Sequence, residues 1–428
     1  KVELFRETEF KDTEIGRIPK EWEVVRFQDI CEKIKSGGTP LTTKPQYYNG
    51  DIPFVKIEDI TNAKKYLYST STMITKDGLD NSTAWLVPKD SLLLAIYGSI
   101  GLVAINKIEV STNQAILGIV LKRQIAETEF FYYLFSKLNL RKFAKQTTQA
   151  NLTAEIVKNL YIPLPTLEEQ QQIASILSTI DEAIQKTDEL IAKTERLKKG
   201  LMNELLTKGI GHKEFKDTEI GRIPKDWEIK KLIEIADLQR GLSYSSEEKS
   251  KEMITDGYLF LTLNSIKEDG GLKEDGWTWI KSDRLKERHF VREGDIVIAN
   301  TDIGMQRGHI LGSPAIVRFP EWYKKDKAVY SMDLSKLNLR INNADVNFLF
   351  YYLSFVQPLA RKYHTGTNVW HLNLDSWAMD LYVPLPSFQE QQKIAEILSA
   401  IDKKLEFLKN EREKLEKIKK WFMNELLS

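Results

Sequence analysis

The sequence predicts an α+β fold built as an internal repeat, in which two α+β domains are separated by a pair of long antiparallel coiled-coil helices with pseudo-twofold symmetry. Three observations predict it. The twelve residues EFKDTEIGRIPK occur at 9–20 and again, unchanged, at 214–225. A long segment with helical periodicity closes each half of the chain. Before each of these segments lies a region that mixes short apolar runs with turn residues.

Each long helix is predicted from its start signals and its apolar spacing. The segment LYIPLPTLEEQQQIASILSTID begins at residue 160, and LYVPLPSFQEQQKIAEILSAID begins at residue 381. Directly after a proline, each has a capping-box pattern, Thr166 with Glu169 and Ser387 with Glu390. Apolar residues then recur at steps of four and three, which is typical of a coiled-coil seam. A helix of about forty residues is a rod of about 60 Å.

The matching seams favour packing of the two helices against each other. A helix with a single apolar stripe is unstable alone in water, so each helix needs a partner. Antiparallel pairing puts the two variable regions at opposite ends of the rod, as in a dimer fused into one chain. The alternative is that each helix packs only on its own domain.

Between the repeated parts, each variable region predicts an α+β domain. A helix rich in Phe and Tyr follows the β-like runs, at 127–145 in the first region and 345–361 in the second. The β-like runs are 52–57, 92–97 and 116–121, then 258–263 and 295–300. The predicted divisions are an arm with the first repeated stretch (1–20), the first variable domain (21–160), the first long helix (161–207), a linker with the second repeated stretch (208–225), the second variable domain (226–381) and the second long helix (382–428).

Polar clusters lie at corresponding places in the two variable domains. Side-chain amides and arginine read base edges well, and small loop residues let backbone amides approach a phosphate. Ordinary turn chemistry is the alternative explanation for each cluster taken alone. The pairs are SGGTP at 36–40 with QRGL at 239–242, YGS at 97–99 with NTD at 300–302, and QTTQAN at 146–151 with TGTNVWHLN at 365–373.

The candidate nucleic-acid contacts come from these clusters and from basic residues nearby. The candidates in the first domain are Gly38, Thr39, Tyr97, Ser99, Gln146, Thr148, Gln149 and Asn151. Those in the second domain are Arg240, Thr301, Thr367, Asn368, Trp370 and His371. The candidate phosphate contacts are Lys35, Lys44 and Arg307.

Several of these residues resemble those of a known family. Gly38-Thr39-Pro40, the run YNGDIP at 48–53 and the paired PLP-(T/S)-x-x-EQQ-x-IA helix starts are similar to DNA-specificity subunits of type I restriction–modification enzymes. The similarity spans essentially the whole chain. It implies two target-recognition domains, each reading one half of a split DNA sequence, with the paired helices setting the gap between the halves.

The resemblance also implies a set of partners. Double-stranded DNA, two methyltransferase subunits and restriction (motor–nuclease) subunits are expected to bind the chain. S-adenosylmethionine, ATP and Mg are then expected on those partner subunits, with no cofactor on this chain. The repeated stretch is expected to be a docking surface for two identical partners; the alternative is that it merely closes a domain edge.

Signatures of catalysis are missing from the sequence. It has no Asn/Asp-Pro-Pro-aromatic tetrapeptide, no glycine-rich cofactor loop and no GxxxxGK(S/T) motif. Its five histidines lack metal-site spacing. We therefore expect a chain without catalytic activity and without a metal. A coiled-coil scaffold that binds proteins, or another DNA-binding regulator, is the alternative function.

Composition sets wider limits. A chain of 428 residues predicts more than one domain. A net charge of +1 neither favours nor excludes a nucleic-acid partner, because basic residues can cluster on one face. With one cysteine, Cys31, no apolar run of 18 residues and no expected signal peptide, we expect a cytoplasmic protein that does not meet a membrane.

Overall fold

The computed structural model describes residues 9–143, 152–303 and 309–427. The chain divides into two compact units, Lys1–Asp188 with Asn410–Ser428, and Glu189–Lys409. Each unit holds one α+β domain, one copy of the repeated stretch and part of each long helix. The predicted internal repeat of α+β domains and long helices is therefore confirmed.

The first unit contains the elements that precede and begin the first long helix. In chain order its strands are β1 Phe10–Thr13, β2 Gly16–Pro19, β3 Glu23–Arg26, β4 Cys31–Ser36, β5 Tyr48–Val55, β6 Tyr66–Leu67, β7 Thr72–Ile74, β8 Leu92–Ala95, β9 Val103–Asn106, β10 Ser111–Thr112, β11 Ile116–Leu121 and β12 Tyr161–Leu164. Its helices are α1 Ile57–Ala63, α2 Lys76–Asp80, α3 Thr128–Lys137, α4 Ala154–Lys158 and the long α5 Leu167–Lys208, whose end lies in the second unit. Short 3₁₀ helices are Phe27–Ile30, Pro45–Tyr47 and Leu140–Phe143.

The second unit repeats this plan. Its strands are β13 Phe215–Thr218, β14 Gly221–Pro224, β15 Glu228–Lys231, β16 Ala236–Arg240, β17 Lys249–Ser250, β18 Tyr258–Leu261, β19 Thr278–Ile280, β20 Phe290–Arg292, β21 Ile296–Ala299, β22 Thr301–Asp302, β23 Pro314–Ile316, β24 Lys327–Tyr330, β25 Leu334–Leu339, β26 His364–Thr365, β27 Trp370–Leu372 and β28 Tyr382–Leu385. Its helices are α6 Leu232–Ile235, α7 Val346–Val356, α8 Leu374–Asp380 and the long α9 Phe388–Leu426, whose end lies in the first unit. Short 3₁₀ helices are Ser246–Glu248, Leu263–Ser265, Glu287–His289 and Gln357–Tyr363.

Each domain is organised around mainly antiparallel sheets. The first domain has a five-stranded sheet in the order β4-β11-β8-β9-β6 and a three-stranded sheet β10-β5-β7. The second has a four-stranded sheet β16-β25-β21-β23, a five-stranded sheet β17-β19-β18-β24-β20 and a small sheet β22-β27-β26. In both units the repeated stretch forms a hairpin, β1-β2 and β13-β14, with the same residue pairing.

The central strands are continuous apolar runs because both of their faces are covered. On β8, Leu92 and Leu94 pack with Phe130 of α3, whereas Leu93 packs on the opposite side with Trp85. Side chains alternate along a strand, so a strand buried on both faces needs apolar residues at every position. The same alternation occurs on β21 of the second domain.

The strands through which the chain enters and leaves each variable domain lie side by side. β3 pairs antiparallel with β12, and β15 pairs antiparallel with β28. The chain therefore enters and leaves each domain through one two-stranded sheet. The segments predicted as the starts of the long helices, 161–166 and 382–387, accordingly begin with a strand, and the helices start at Leu167 and Phe388.

The helices rich in Phe and Tyr are shorter than predicted. Among the described residues, α3 ends at Lys137 because Leu138 adopts an extended backbone, with ψ of 127°. α7 ends at Val356, and the chain continues as a 3₁₀ helix that contains Pro358. Pro358 has no backbone N–H and cannot donate to the carbonyl four residues earlier, so the α-helical hydrogen-bond pattern is interrupted there, which accounts for the second boundary.

Each long helix begins with the same anchor to its own domain. The indole Nε1 of Trp22 donates to Glu169 Oε1 at 2.9 Å, and that of Trp227 donates to Glu390 Oε2 at 3.1 Å. The hydroxyl part of each predicted capping box is confirmed, since Thr166 and Ser387 accept from the amides of these glutamates. The glutamates thus carry an additional task, which is to hold a buried tryptophan.

The glutamine after each of these glutamates is fully buried. Gln170 accepts from the amide of Glu127 at 2.8 Å and donates to the carbonyls of Ile125 and Pro165 at 3.0 and 2.9 Å. Gln391 makes the three corresponding bonds to the second domain. The side chain therefore joins the helix start to the loop before α3 or α7.

The long helices run antiparallel within each unit. In the first unit, Asp181 pairs with Lys419 at 2.6 Å and Asp188 pairs with Arg412 at 2.5 Å. In the second unit, Glu195 of α5 pairs with Lys409 of α9 at 3.0 Å, and Lys198 pairs with Asp402 at 2.6 Å. Partners further along α5 lie further back along α9, which is the antiparallel order. The predicted packing of the two helices against each other is confirmed in both units.

The same aspartates fasten each domain to the helix pair. Tyr133 of α3 donates to Asp181 Oδ2 at 2.6 Å, and Tyr351 of α7 donates to Asp402 Oδ2 at 2.8 Å. Burial, followed by its aspartate neighbour, raises the pKa of each tyrosine, so both hydroxyls keep their protons and donate.

Among the described helices, none contains an apolar stretch long enough to cross a membrane.

Candidate nucleic-acid interface

A tight turn between two strands organises the polar clusters in each domain. The first central turn is residues 112–116, between β10 and β11, and the second central turn is residues 330–334, between β24 and β25. Backbone amides from the end of β4 and of β16 bond to these turns in the same pattern. Gly37 N–H donates to Ile116 O at 3.2 Å, and Gly241 N–H donates to Leu334 O at 3.2 Å.

The glycines after β4 are required by close packing on this turn. A Cβ at Gly37 would lie 1.8 Å from the carbonyl oxygen of Thr112, and one at Gly38 would lie 2.0 Å from Thr83 Oγ1. Gly38 is buried, and its amide donates to Thr112 O at 2.9 Å. Both amides are therefore paired inside the domain, which contradicts the predicted phosphate cradle at these two glycines.

The next polar cluster attaches to the central turn through a second shared set of bonds. Ile96 N–H donates to Ala115 O at 2.8 Å, and Asn300 N–H donates to Asp333 O at 2.9 Å. The carbonyl of Ile96 accepts from Leu152 N–H, as that of Asn300 accepts from Leu372 N–H. Tyr97 thus corresponds to Thr301, one position away from the match that the sequence predicted.

Exposed side chains gather around the first central turn. Thr39 Oγ1 donates to Gln114 Oε1 at 2.6 Å, and both residues are exposed. Tyr97 is 37% exposed, and Ser99 is partly exposed in the following turn. Gln114 is absent from the predicted set, although an Asn-Gln pair one residue before a strand was a signal of an amide-rich turn.

The basic residues among the predicted contacts that the structure describes are exposed. Lys35 projects from β4 opposite Gly118. Lys44 donates to the hydroxyl of Tyr47 at 3.2 Å and is exposed. Arg240 ends β16 opposite Ser335, next to the second central turn, and is exposed. Gln146, Thr148, Gln149, Asn151 and Arg307 lie outside the described residues.

In the second domain, three predicted residues share the small sheet β22-β27-β26. Thr301 pairs with His371 in this sheet, and Asp302 pairs with Trp370. The ring of Trp370 stacks on that of His364, with centroids 3.9 Å apart and planes at 21°. Two further predicted residues, Thr367 and Asn368, are exposed in the turn between β26 and β27.

Buried polar groups lie beneath the small sheet β22-β27-β26 and bond to it. Thr301 is only 3% exposed, so it lies under the surface rather than on it. Asn300 is 1% exposed and donates to Met332 O and Ser335 Oγ, at 3.2 and 2.8 Å. Burial raises the pKa of the Tyr330 phenol, whose hydroxyl lies 3.0 Å from the carbonyl of Gln239. Within the described residues, no cluster of three or more His, Cys, Asp or Glu is arranged to hold a metal ion.

Comparison with known proteins gives one consistent result. The family model of the type I restriction modification DNA specificity domain matches residues 19–196 and 224–417. The MjaVIII type I restriction enzyme specificity subunit of Methanocaldococcus jannaschii is 30% identical over 443 residues, covering 100% of this chain and 97% of that protein. The MjaIX specificity subunit of the same organism is 34% identical over 248 residues, covering 55% of this chain and 56% of that protein.

Solved structures share the fold. The S subunit of a type I restriction-modification system from M. genitalium aligns with a TM-score of 0.55 at 18% identity, covering 95% of this chain and 96% of that one. A chain from a study of assembly and conformational transition of the type I R-M system aligns with a TM-score of 0.58 at 18% identity, covering 96% and 98%. With two matched domains and a full-length relative, the chain belongs to the family of type I restriction–modification DNA-specificity subunits.

Proposed function

We propose that this chain is the subunit that reads a bipartite DNA target, one half-site per recognition domain, and brings methyltransferase and restriction subunits to it. The observation that carries the proposal is a common backbone frame with different surface residues. In both domains, matching backbone hydrogen bonds attach the polar clusters to a central turn, yet the exposed residues of the two domains differ. Such a pair of domains suits two different half-sites.

The side chains on the two frames are of the kinds that read bases. Around the first central turn, Thr39 and Gln114 present a hydroxyl and an amide, and an amide pairs with adenine. Around the second, Arg240 presents a guanidinium, which pairs with guanine, and His371 an imidazole. The exposed Lys35 and Lys44 are proposed to contact phosphates, which adds affinity but no sequence preference.

The repeated hairpins support docking of two identical partners. In each copy of the twelve-residue stretch, only the Ile-Pro pair is buried, Ile18-Pro19 and Ile223-Pro224. Packing against the domain accounts for those positions and for the partly buried Ile15 and Ile220. The exposed positions are nevertheless identical, and in both copies an arginine lies over the phenylalanine ring, 5.0 Å away for Arg17 and 5.6 Å for Arg222.

We assign the two hairpins to two copies of the methyltransferase subunit. An identical exposed surface that occurs twice in one chain fits one partner that binds twice. The alternative, in which the hairpin only closes a domain edge, gives no reason for identical residues on the solvent side. Restriction subunits then join the assembly of this chain and the methyltransferases.

The chain is not itself an enzyme, as is true of specificity subunits as a class. We place S-adenosylmethionine, ATP and Mg on the partner subunits, where methyl transfer and motor-driven cleavage take place. We also place the protein in the cytoplasm, with the DNA that it reads. The antiparallel helices are proposed to set the length of the unspecified spacer between the half-sites.

The experiment that tests this function is a domain exchange. The segment between Glu23 and Leu164, which enters and leaves through the β3-β12 sheet, is replaced by that of another family member. The hybrid is co-expressed with its methyltransferase, and methylated sites are sequenced. One half of the motif should change while the other half stays the same. A change in both halves would contradict independent reading.

A second measurement separates this function from the alternatives. A protein scaffold would not retard DNA in a gel-shift experiment, with or without the methyltransferase. A DNA-binding regulator would retard DNA but would direct no methylation. Binding together with methylation at one bipartite motif is expected only for a specificity subunit.

A further inference from the structure

The hydrogen-bond order beneath His371 determines which of its ring nitrogens carries the proton. The chain of bonds starts at the carbonyl of Met332, which can only accept. The side-chain amide of Asn300 therefore turns its nitrogen toward this carbonyl, at 3.2 Å, and toward Ser335 Oγ, at 2.8 Å. Its oxygen, Oδ1, consequently faces the other way, toward Thr301.

The buried Asn300 oxygen takes the only hydrogen that the Thr301 hydroxyl has. Asn300 is 1% exposed, and a buried carbonyl oxygen needs a donor. Among the described residues, that donor is Thr301 Oγ1, 3.1 Å away. A threonine hydroxyl carries one hydrogen and two lone pairs, so toward any further neighbour it acts as an acceptor.

That further neighbour is His371. Its Nδ1 lies 3.2 Å from Thr301 Oγ1, and because the hydroxyl accepts there, Nδ1 must be the nitrogen with the proton. A neutral imidazole has its proton on one nitrogen only, so Nε2 is left as an acceptor. His371 is exposed, and within the described part of the chain nothing bonds Nε2. Its strand, β27, is paired on both sides, which fixes the backbone from which the ring projects, and the bond to Thr301 orients the ring.

We propose that His371 reads an exocyclic amine in the major groove, either N6 of adenine or N4 of cytosine, and that Thr301 sets this preference as a positioning residue. The proposal rests on the DNA-reading function proposed above. Adenine and cytosine present amine donors at the groove edge, whereas guanine O6 and thymine O4 are acceptors. An imidazole whose free nitrogen accepts bonds the amines and leaves the keto oxygens without a donor.

The first test reverses the hydrogen-bond character of residue 371. The chain is co-expressed with its methyltransferase, and methylated sites are sequenced for wild type, His371→Arg and His371→Leu. Arginine only donates, so one position of the second half-site should change from adenine to guanine or from cytosine to thymine. Leucine should reduce the preference at that same position on the order of fivefold to tenfold.

The second test changes Thr301, which has no contact with DNA in this proposal. Thr301→Ser keeps a hydroxyl and should keep the wild-type motif. Thr301→Val removes the hydroxyl that holds Nδ1–H, and the preference at the His371 position should weaken while the other positions stay. Equal motifs for the serine and valine variants would overturn the positioning role.

The third test measures the tautomer without any DNA. The full chain is labelled with ¹⁵N in the histidine rings, and the signals of His371 are identified by their loss in His371→Gln. The expected pattern is a protonated Nδ1 and an unprotonated Nε2. A protonated Nε2 in the neutral ring would overturn the proposal, whatever the variants do to the motif.

The outcomes separate this inference from the function on which it rests. If the wild-type complex methylates no defined bipartite motif, the proposed function fails. If it methylates a defined motif that His371→Arg leaves unchanged, only the role of His371 fails. The same holds if the affected position carries guanine or thymine in the wild type, because an acceptor nitrogen does not select keto bases in the major groove.

Discussion

Removal of the buried glutamine at the start of either long helix should destabilise the unit that contains that helix start. Gln170 joins its helix to three backbone groups of the first unit, and Gln391 does the same in the second. Alanine at either position leaves two carbonyls and one amide without that partner. The perturbation removes no charge and leaves the rest of the helix unchanged.

The size of the effect follows from the surroundings of these groups. An unsatisfied buried group costs about 1–3 kcal/mol, and a group that water can reach costs less. The bond to the Pro165 carbonyl is buried, whereas those to Ile125 and Glu127 are partly buried. We therefore expect a loss of roughly 2–4 kcal/mol in the free energy of unfolding. For a unit of this size, that loss lowers Tm by roughly 4–16 °C.

Calorimetry of the full chain measures this, with hydrogen exchange to identify the unit that opens. The matched controls are the exposed neighbours, Gln171→Ala and Gln392→Ala, which carry the same chemical change beside the buried site. Faster exchange is expected near residues 125–127 in the first variant and near residues 343–345 in the second. If Gln171→Ala lowers Tm as much as Gln170→Ala does, the buried hydrogen bonds of Gln170 are not the cause of the loss and the reasoning is refuted.

Three further predictions concern the rod, the hairpins and the cysteine. Seven residues inserted after Ile191 and after Asn410 keep the apolar seam in phase and lengthen the helix pair by about 10 Å, so the spacer in methylated sites should grow by around three base pairs. An active variant that methylates at the original spacing would show that the helices do not set the spacer length. Arg17→Glu combined with Arg222→Glu should abolish binding of the methyltransferase and each single change should leave one copy bound, as counted by native mass spectrometry, whereas two bound copies in the double variant would show that the partner docks elsewhere. Burial raises the pKa of Cys31 to about 12, above its ordinary value of 9.0. The buried thiol therefore stabilises the fold below about pH 9, and that contribution is lost as pH rises toward 12. In thermal melts, the stability difference between wild type and Cys31→Ala should shrink over this window, and a constant difference would contradict the assignment.

Much of the fold could be predicted because its signals are local. The capping pattern predicts helices that begin directly after Thr166 and Ser387, as observed, although the predicted helical divisions began six residues earlier, at 161 and 382. The apolar runs at 92–97 and 116–121 contain strands β8 and β11. The matching seams were enough to predict antiparallel helix packing. In each case the physical cause lies within a few neighbouring residues, so periodicity and turn chemistry are sufficient.

The details of the candidate site depend on contacts between distant parts of the chain. Gly38 was selected as a small loop residue, yet its amide is consumed by Thr112, a partner 74 residues away. Thr301 and His371 were both predicted, but the bond between them joins residues 70 positions apart. No local pattern tells which hydroxyl faces the surface and which supports a ring from below. The sequence therefore predicted which loops hold the polar residues, but not which of those residues are exposed and which are buried and position the others.

The pairing of β3 with β12, and of β15 with β28, has a consequence for how such proteins diversify. A domain whose two chain ends are adjacent can be exchanged as one genetic cassette. The chain connects such a domain to the rest of the protein only at the paired entering and leaving strands. Length inside the cassette is then free to vary: the repeated helix starts are offset by 221 residues and the repeated hairpins by 205, so the second cassette is 16 residues longer than the first. New target sequences can evolve in one reading head while the partner surfaces and the other head are inherited unchanged.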